Sequence, residues 1–158
     1  MGYADDRDAI LCIATTAALG TTAAAAWRGA VDNDNAAAPI NAISHVVWGQ
    51  EAATREEVSA KFTGVGVAVN AAAMVSWAVF HRLLFARRTE DATVAGSVAR
   101  GAFTAGVAYL VDYHAVPKRL TPGFEDRLSG KSMFAIYAAL AASIAAGDYL
   151  SASRRARV

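Results

Sequence analysis

The sequence predicts an all-α bundle of four transmembrane helices, with a short amphipathic interfacial helix between the first and second. Three observations carry this expectation. Residues 9–27 and 62–80 hold no charge, and a third uncharged run covers 132–147. Only 18% of the chain is charged, against about 25% in soluble domains, and the charges gather between the runs. The two longest runs lack the polar face that a helix shows on the surface of a soluble bundle. A chain of 158 residues amounts to one domain. It is too small to wrap two such helices in protein, so lipid must cover them.

Crossing the hydrocarbon takes about 20 apolar residues in a helix. The first span is expected at about 9–31, around "AILCIATTAALGTTAAAAW". It is preceded by "MGYADDRD", with three Asp against one Arg. A cleaved leader starts positive, so this run reads as a retained span. The interfacial helix follows at about 39–50. Pro39 suits a first helical turn. Ile40, Ile43 and Val47 then fall on one side, and Asn41, His45 and Trp48 on another. Such a helix lies on the membrane surface or tucks over the mouth of the bundle. The second span is expected at about 61–85 and the fourth at about 131–150. The third, about 92–116, is long enough but carries Arg100 and Asp112. Pro117, with no backbone N–H, ends it near Val116, and Thr121 is placed to cap a turn at Pro122.

Small residues recur every fourth position in three spans: Ala14, Ala18, Thr22 and Ala26; Gly64, Ala68, Ala72 and Ser76; Ala135, Ala139, Ser143 and Gly147. Rows of this kind let helix backbones approach closely in lipid. Tyr3, Trp27, Tyr113 and Tyr149 fall near span ends, where aromatic rings with a polar tip meet the membrane–water boundary. Four spans put both termini on one side. The basic residues divide almost evenly between the two sides. The short tail "SRRARV", with Arg87 and Arg88 in the loop on the same side, favours both termini cytoplasmic.

The segment "VDYHAVPKRLTPGFED" concentrates polar chemistry at the other side. Lys118 and Arg119 suit lipid phosphates there. Asp112 lies more than a turn inside the third span, where an acid is normally turned inward and paired. Arg28, His45 and Lys61 are its expected partners, fixing helix ends. The functional alternative makes Asp112 a proton or substrate group, with Asn70 along the path. Asn70 is otherwise a hydrogen-bond donor between helices. Arg100 and Asp148 are expected to form a second structural pair near the opposite face. His45 and His114, with Asp112 or Glu51, would be the ligands of any metal or haem. No His-x-x-x-His or cysteine spacing supports one, so no cofactor is expected. Cys12 is a lone thiol in an apolar run. "LSGKS" lacks the first glycine of a phosphate loop, because position 125 is Glu125, and "GVGVAV" lacks the third glycine of a dinucleotide site. Net charge is +1, so no global field draws nucleic acid.

"NAISHVVWG" and "DYHAVPKRLTPGFE" resemble segments of an uncharacterised family of small multi-pass bacterial inner-membrane proteins. The matching positions are Asn41, Ser44, His45, Trp48 and Gly49, then Asp112, Tyr113, Pro117, Lys118, Arg119, Thr121, Pro122, Gly123, Phe124 and Glu125. The resemblance implies a bacterial inner-membrane location and no particular activity. The first expectation of function is non-enzymatic: a bundle in the lipid bilayer that packs with itself or with a membrane protein partner through its small-residue faces. The alternatives are a binding site at one membrane face, and a proton-coupled transporter or channel subunit using Asp112. The face site would use Asn41, His45, Trp48, Asp112, Tyr113, His114 and Arg28, and would take a metal, a lipid headgroup or a small solute.

Overall fold

The computed structural model describes residues 3–86 and 93–155. Arg87, Arg88 and Arg157, on which the orientation leans, lie outside the described residues, as do the side chains of Tyr3 and Arg155. Among the described residues six helices follow in chain order: α1 (Tyr3–Asn33), α2 (Ala38–Ile43), α3 (His45–Trp48), α4 (Val65–Phe85), α5 (Val94–Leu110) and α6 (Gly130–Arg155). The same residues hold no strand. Four segments are long and apolar enough to cross a membrane: Asp6–Asn33, Ala60–Phe85, Val94–Ala115 and Gly130–Arg154. The shortest has 22 residues, about 33 Å of helix, enough for the hydrocarbon layer. The protein is an all-α four-helix bundle of multi-pass membrane type.

α1 packs chiefly on α6 and α4, and α6 also carries α5. α4 and α5 barely meet. Around the bundle the order is therefore α4, α1, α6, α5, with the seam between α4 and α5 the thinnest. The core draws on all four: Ile13 and Ala17 from α1, Met74 and Ala78 from α4, Ala105 and Ala108 from α5, Leu140 and Ile144 from α6. A second core under the loops joins Ala25, Ile40, Ile43, Phe124, Leu128 and Ile136.

Two of the three small-residue rows are used inside the bundle. Ala14 and Gly147 are buried where α1 meets α6. A Cβ on Gly147 would lie 2.6 Å from Cα of Ile13, so the two backbones touch there. The row on α4 is not used this way: Gly64, Ala68, Ala72 and Ser76 are exposed. The buried face of α4 is Gly66, Asn70, Met74 and Ala78. Asn70 decides this. Residues two apart lie about 200° apart on a helix, and a polar amide in lipid turns toward a partner. Its Nδ2 donates to Thr21 Oγ1 at 2.9 Å and to Thr22 Oγ1 at 3.1 Å. Turning Asn70 toward α1 sends the small row outward.

The interfacial segment is two short helices rather than one. Ala38 to His45 is buried throughout, so the segment plugs the mouth of the bundle instead of lying on the membrane surface. Pro39 sits in the first turn of α2, and the Asn35 carboxamide oxygen accepts from the Ala37 and Ala38 amides at 2.9 and 3.0 Å. Thr121 does not cap the turn that follows it. Its hydroxyl donates back to the Lys118 carbonyl at 2.9 Å, and that turn (Phe124–Asp126) is entered through Gly123. Gly123 has φ +81° and lies against the Ala42 carbonyl and the His45 ring, a place that no side chain fits. α5 ends in a π-helical turn, Val111–Ala115, before Pro117.

Candidate functional site

The structure separates the polar residues into two sites at opposite ends of the bundle. At the end that carries the termini, Asp148 is wholly buried. Its Oδ2 accepts from Arg100 Nη2 at 2.6 Å, Arg100 Nε at 3.0 Å and Ser97 Oγ at 2.9 Å. Its Oδ1 lies 3.5 Å from Nε2 of the buried His81. The other ring nitrogen of His81 is 2.8 Å from Thr104 Oγ1, and that hydroxyl reaches the Arg100 carbonyl at 3.0 Å. Arg82, also buried, pairs with Asp6. The cluster ties α4, α5 and α6 together, and Arg82–Asp6 adds α1. Asp148 is paired with Arg100 and Arg82 with Asp6, while Asp148 Oδ1 and His81 Nε2 face each other without a hydrogen bond, so the arrangement serves to hold helices. The Arg100–Asp148 pair was legible in the sequence. His81, Ser97 and Thr104 were not, although His81 and Arg82 interrupt an apolar segment at the same end.

At the loop end, the expected polar cluster does not converge. Asn41 is saturated: its Nδ2 donates to the Arg55 and Glu57 carbonyls at 3.0 Å each, and its Oδ1 accepts from Thr63 at 2.6 Å. His45 is buried with Nδ1 2.8 Å from the Ala42 carbonyl and Nε2 3.4 Å from the Lys118 carbonyl. His114 is exposed, its ring 5.9 Å from that of Tyr109. With both His45 nitrogens facing carbonyl oxygens, the two histidines do not form a joint ligand set. Among the described residues no group of three His, Cys, Asp or Glu side chains is placed to hold a metal. Trp48 donates to the Lys61 carbonyl at 2.9 Å, and Lys61 Nζ lies over the Trp48 and Phe62 rings. Glu51 pairs with Arg55, and that hydrogen bond and charge hold its carboxyl below the usual carboxylate range.

Asp112 has a different partner from those expected. Arg28 is spent on Ser132 at 2.8 Å and Asp32 at 3.1 Å, His45 on carbonyls and Lys61 on rings. Asp112 instead accepts from the Tyr137 hydroxyl at 2.7 Å. Among the described residues no Lys, Arg or His side-chain nitrogen lies within 4.0 Å of its carboxylate oxygens. Tyr113 donates to Glu125 at 3.1 Å, and the Tyr137 ring packs edge to face on those of Tyr109 and Tyr113, which tilt against each other.

Asp112 borders a cavity of about 90 Å³. Its walls are Asn70, Met74 and Trp77 of α4 with Tyr137 and Leu140 of α6, and the loop segment 120–124 closes one end. The cavity follows from the thin seam. α4 and α5 touch near the termini end, through His81–Thr104 and through the Phe85 and Phe103 rings, 5.8 Å apart. Farther along, Val69, Asn70, Ala73, Met74 and Trp77 face a common space with Asp112. Tyr137 and Trp77 were not legible as site residues, because the sequence shows them only as aromatic residues inside apolar spans.

Fold and site define a class: an integral four-helix bundle with a buried ion-pair anchor at one end and an acid-edged cleft at the other. Comparison of the chain with protein-family models, curated proteins and solved structures returns no match.

Proposed function

We propose that this chain is a non-enzymatic binding protein of the bacterial inner membrane, with both termini cytoplasmic, and that the cleft beside α4 takes a membrane-dissolved small molecule. The location rests on the resemblance of its two polar segments, and the orientation on the basic tail. The binding reading rests on one observation. A carboxylate with no cationic partner among the described residues borders an apolar cavity that reaches the middle of α4. An acid at such depth is costly unless it is compensated. One tyrosine hydrogen bond compensates it only in part, and a bound molecule completes it. The remaining polar groups of the cavity are not arranged for catalysis. The Asn70 amide is spent on Thr21 and Thr22, and the Thr121 hydroxyl on the Lys118 carbonyl.

The test uses Trp77 as reporter. Trp27→Phe with Trp48→Phe leaves it the sole tryptophan. In lipid nanodiscs, a bromo-octyl series with amine, hydroxyl or carboxylate heads is titrated against its emission. At least one member is expected to quench saturably, and Ala73→Phe, which fills the cavity, is expected to remove that quenching. Quenching that rises linearly for every member, alike in wild type and Ala73→Phe, would mean that the compounds dissolve in the lipid and that no cleft site exists.

A further inference from the structure

We infer that the ligand of this cleft is a lipophilic amine, whose ammonium sits on Asp112 and whose apolar body lies along α4. The inference rests on the cleft reading above and adds the sign of the ligand's charge. Asp112 receives one neutral hydrogen bond, from Tyr137. Three cations of this end are committed elsewhere, Arg28 to Asp32, Lys61 to two aromatic rings and Arg127 to Glu56, while Lys118, Arg119 and Lys131 are exposed and make no ion pair with Asp112. Glu125, bonded to Tyr113, adds a second negative charge on the same side. A carboxylate or phosphate head inside the cavity would meet the Asp112 carboxylate and, among the described lining residues, no basic side chain. A neutral head would leave the carboxylate uncompensated. An ammonium supplies the charge that the fold omits, and N–H donors for the carboxylate oxygens.

The walls of the cleft suit a cation as well. Tyr137 presents its ring beside the carboxylate, and Trp77 lines the same cavity on α4. The negative face of such a ring attracts a cation, by about 0.5–2 kcal/mol according to how well both are desolvated. Met74, Leu140 and Ile136 supply apolar surface for the body. This also sets aside an inorganic cation, which needs several oxygen ligands, whereas Asp112 is the one carboxylate on this cavity among the described residues.

A cavity of about 90 Å³ is smaller than the roughly 150 Å³ that takes a benzene ring. It therefore holds the head and the first few carbons, and a longer tail continues out of the partly open cleft. A primary amine on an unbranched chain fits that shape better than a bulky quaternary head.

The bromo-octyl series decides the point in the unaltered cleft. 8-Bromo-octylamine is expected to quench Trp77 saturably, at a concentration at least tenfold lower than 8-bromo-octanol. 8-Bromo-octanoate is expected to give no saturable phase. Asp112→Asn, which keeps the shape and an oxygen for Tyr137, is expected to remove the amine's advantage while leaving the alcohol unchanged. Equal saturable binding of amine and alcohol would overturn the charge inference and leave the cleft reading standing. No saturable phase for any head would overturn both. The comparison of heads on the wild-type cleft needs no Asp112 variant to fold, so it decides even if that variant does not accumulate.

Discussion

Asp148→Ala is expected to destabilise the bundle by about 3–5 kcal/mol, the usual cost of removing one partner of a buried ion pair. Asp148 is fully buried, and the Arg100 side chain is 11% exposed. Removing the acid strands the Arg100 guanidinium, and it also takes the counter-charge from beside His81. The loss should appear as a large fall in the midpoint of thermal unfolding in mild detergent, or as failure to accumulate. Asp148→Asn should fall between wild type and Ala, since it keeps the shape and hydrogen bonds but not the charge. The double variant Arg100→Leu with Asp148→Leu should recover much of the loss, because an apolar pair of similar size carries no desolvation penalty. A midpoint for Asp148→Ala within a degree of wild type would sink the claim that this cluster anchors the helices.

Gly147→Leu is expected to be nearly as damaging, for a steric reason. Even a Cβ at this position would press on Thr16 Oγ1 and lie 2.6 Å from Ile13 Cα. The second contact is with backbone, which cannot turn aside, so α1 and α6 must separate. Overpacking of this kind typically costs about 1–3 kcal/mol, and here it falls on the most extensive interface of the bundle. Gly147→Ala sets two effects against each other: the same clash, and a helix-propensity gain of about 0.5–1 kcal/mol. The clash is with main chain and should win. Gly106 provides the opposite sign. It is exposed on α5, and a Cβ added there would meet nothing within 4 Å. Gly106→Ala therefore keeps the propensity gain with no clash and should raise the unfolding midpoint. If both alanine substitutions shift the midpoint in the same direction, the close approach of α1 and α6 is not what limits stability.

How much of this was legible in the sequence depended on whether the property lay along a helix or around it. Span positions follow from charge-free length, which the chain states directly, so residues 62–80 and 132–147 could be assigned without knowing any neighbour. Arg100 and Asp148 were legible as a pair because depth alone brings them level on antiparallel helices. Rotation about the helix axis is another matter, since it is set by packing. The small row on α4 points outward because Asn70 claims the inner face, and only Thr21 and Thr22 on another helix show that. Asp112 escaped for a related reason. It lies in a π-helical turn, where the wider turn shifts side chains away from the directions that a 3.6-residue period predicts. Counting back from Pro117 therefore gave its depth correctly and its partner wrongly. His45 was expected on a polar face of one amphipathic helix. The chain instead breaks at Ser44 between two short helices, and the imidazole is turned into the plug.

The two ends of the molecule thus divide their roles. The Asp148 cluster is closed, with Asp148 paired to Arg100 inside the protein. The Asp112 cleft is open, with one charge left to be answered from outside. That contrast is the central claim, and native mass spectrometry of the protein released from its own membranes into mild detergent tests it most directly. The account predicts one amphipathic molecule, bearing an amine, retained on the wild-type chain and missing from Ala73→Phe. A wild-type chain that carries no small molecule, or the same set as the filled variant, would contradict it.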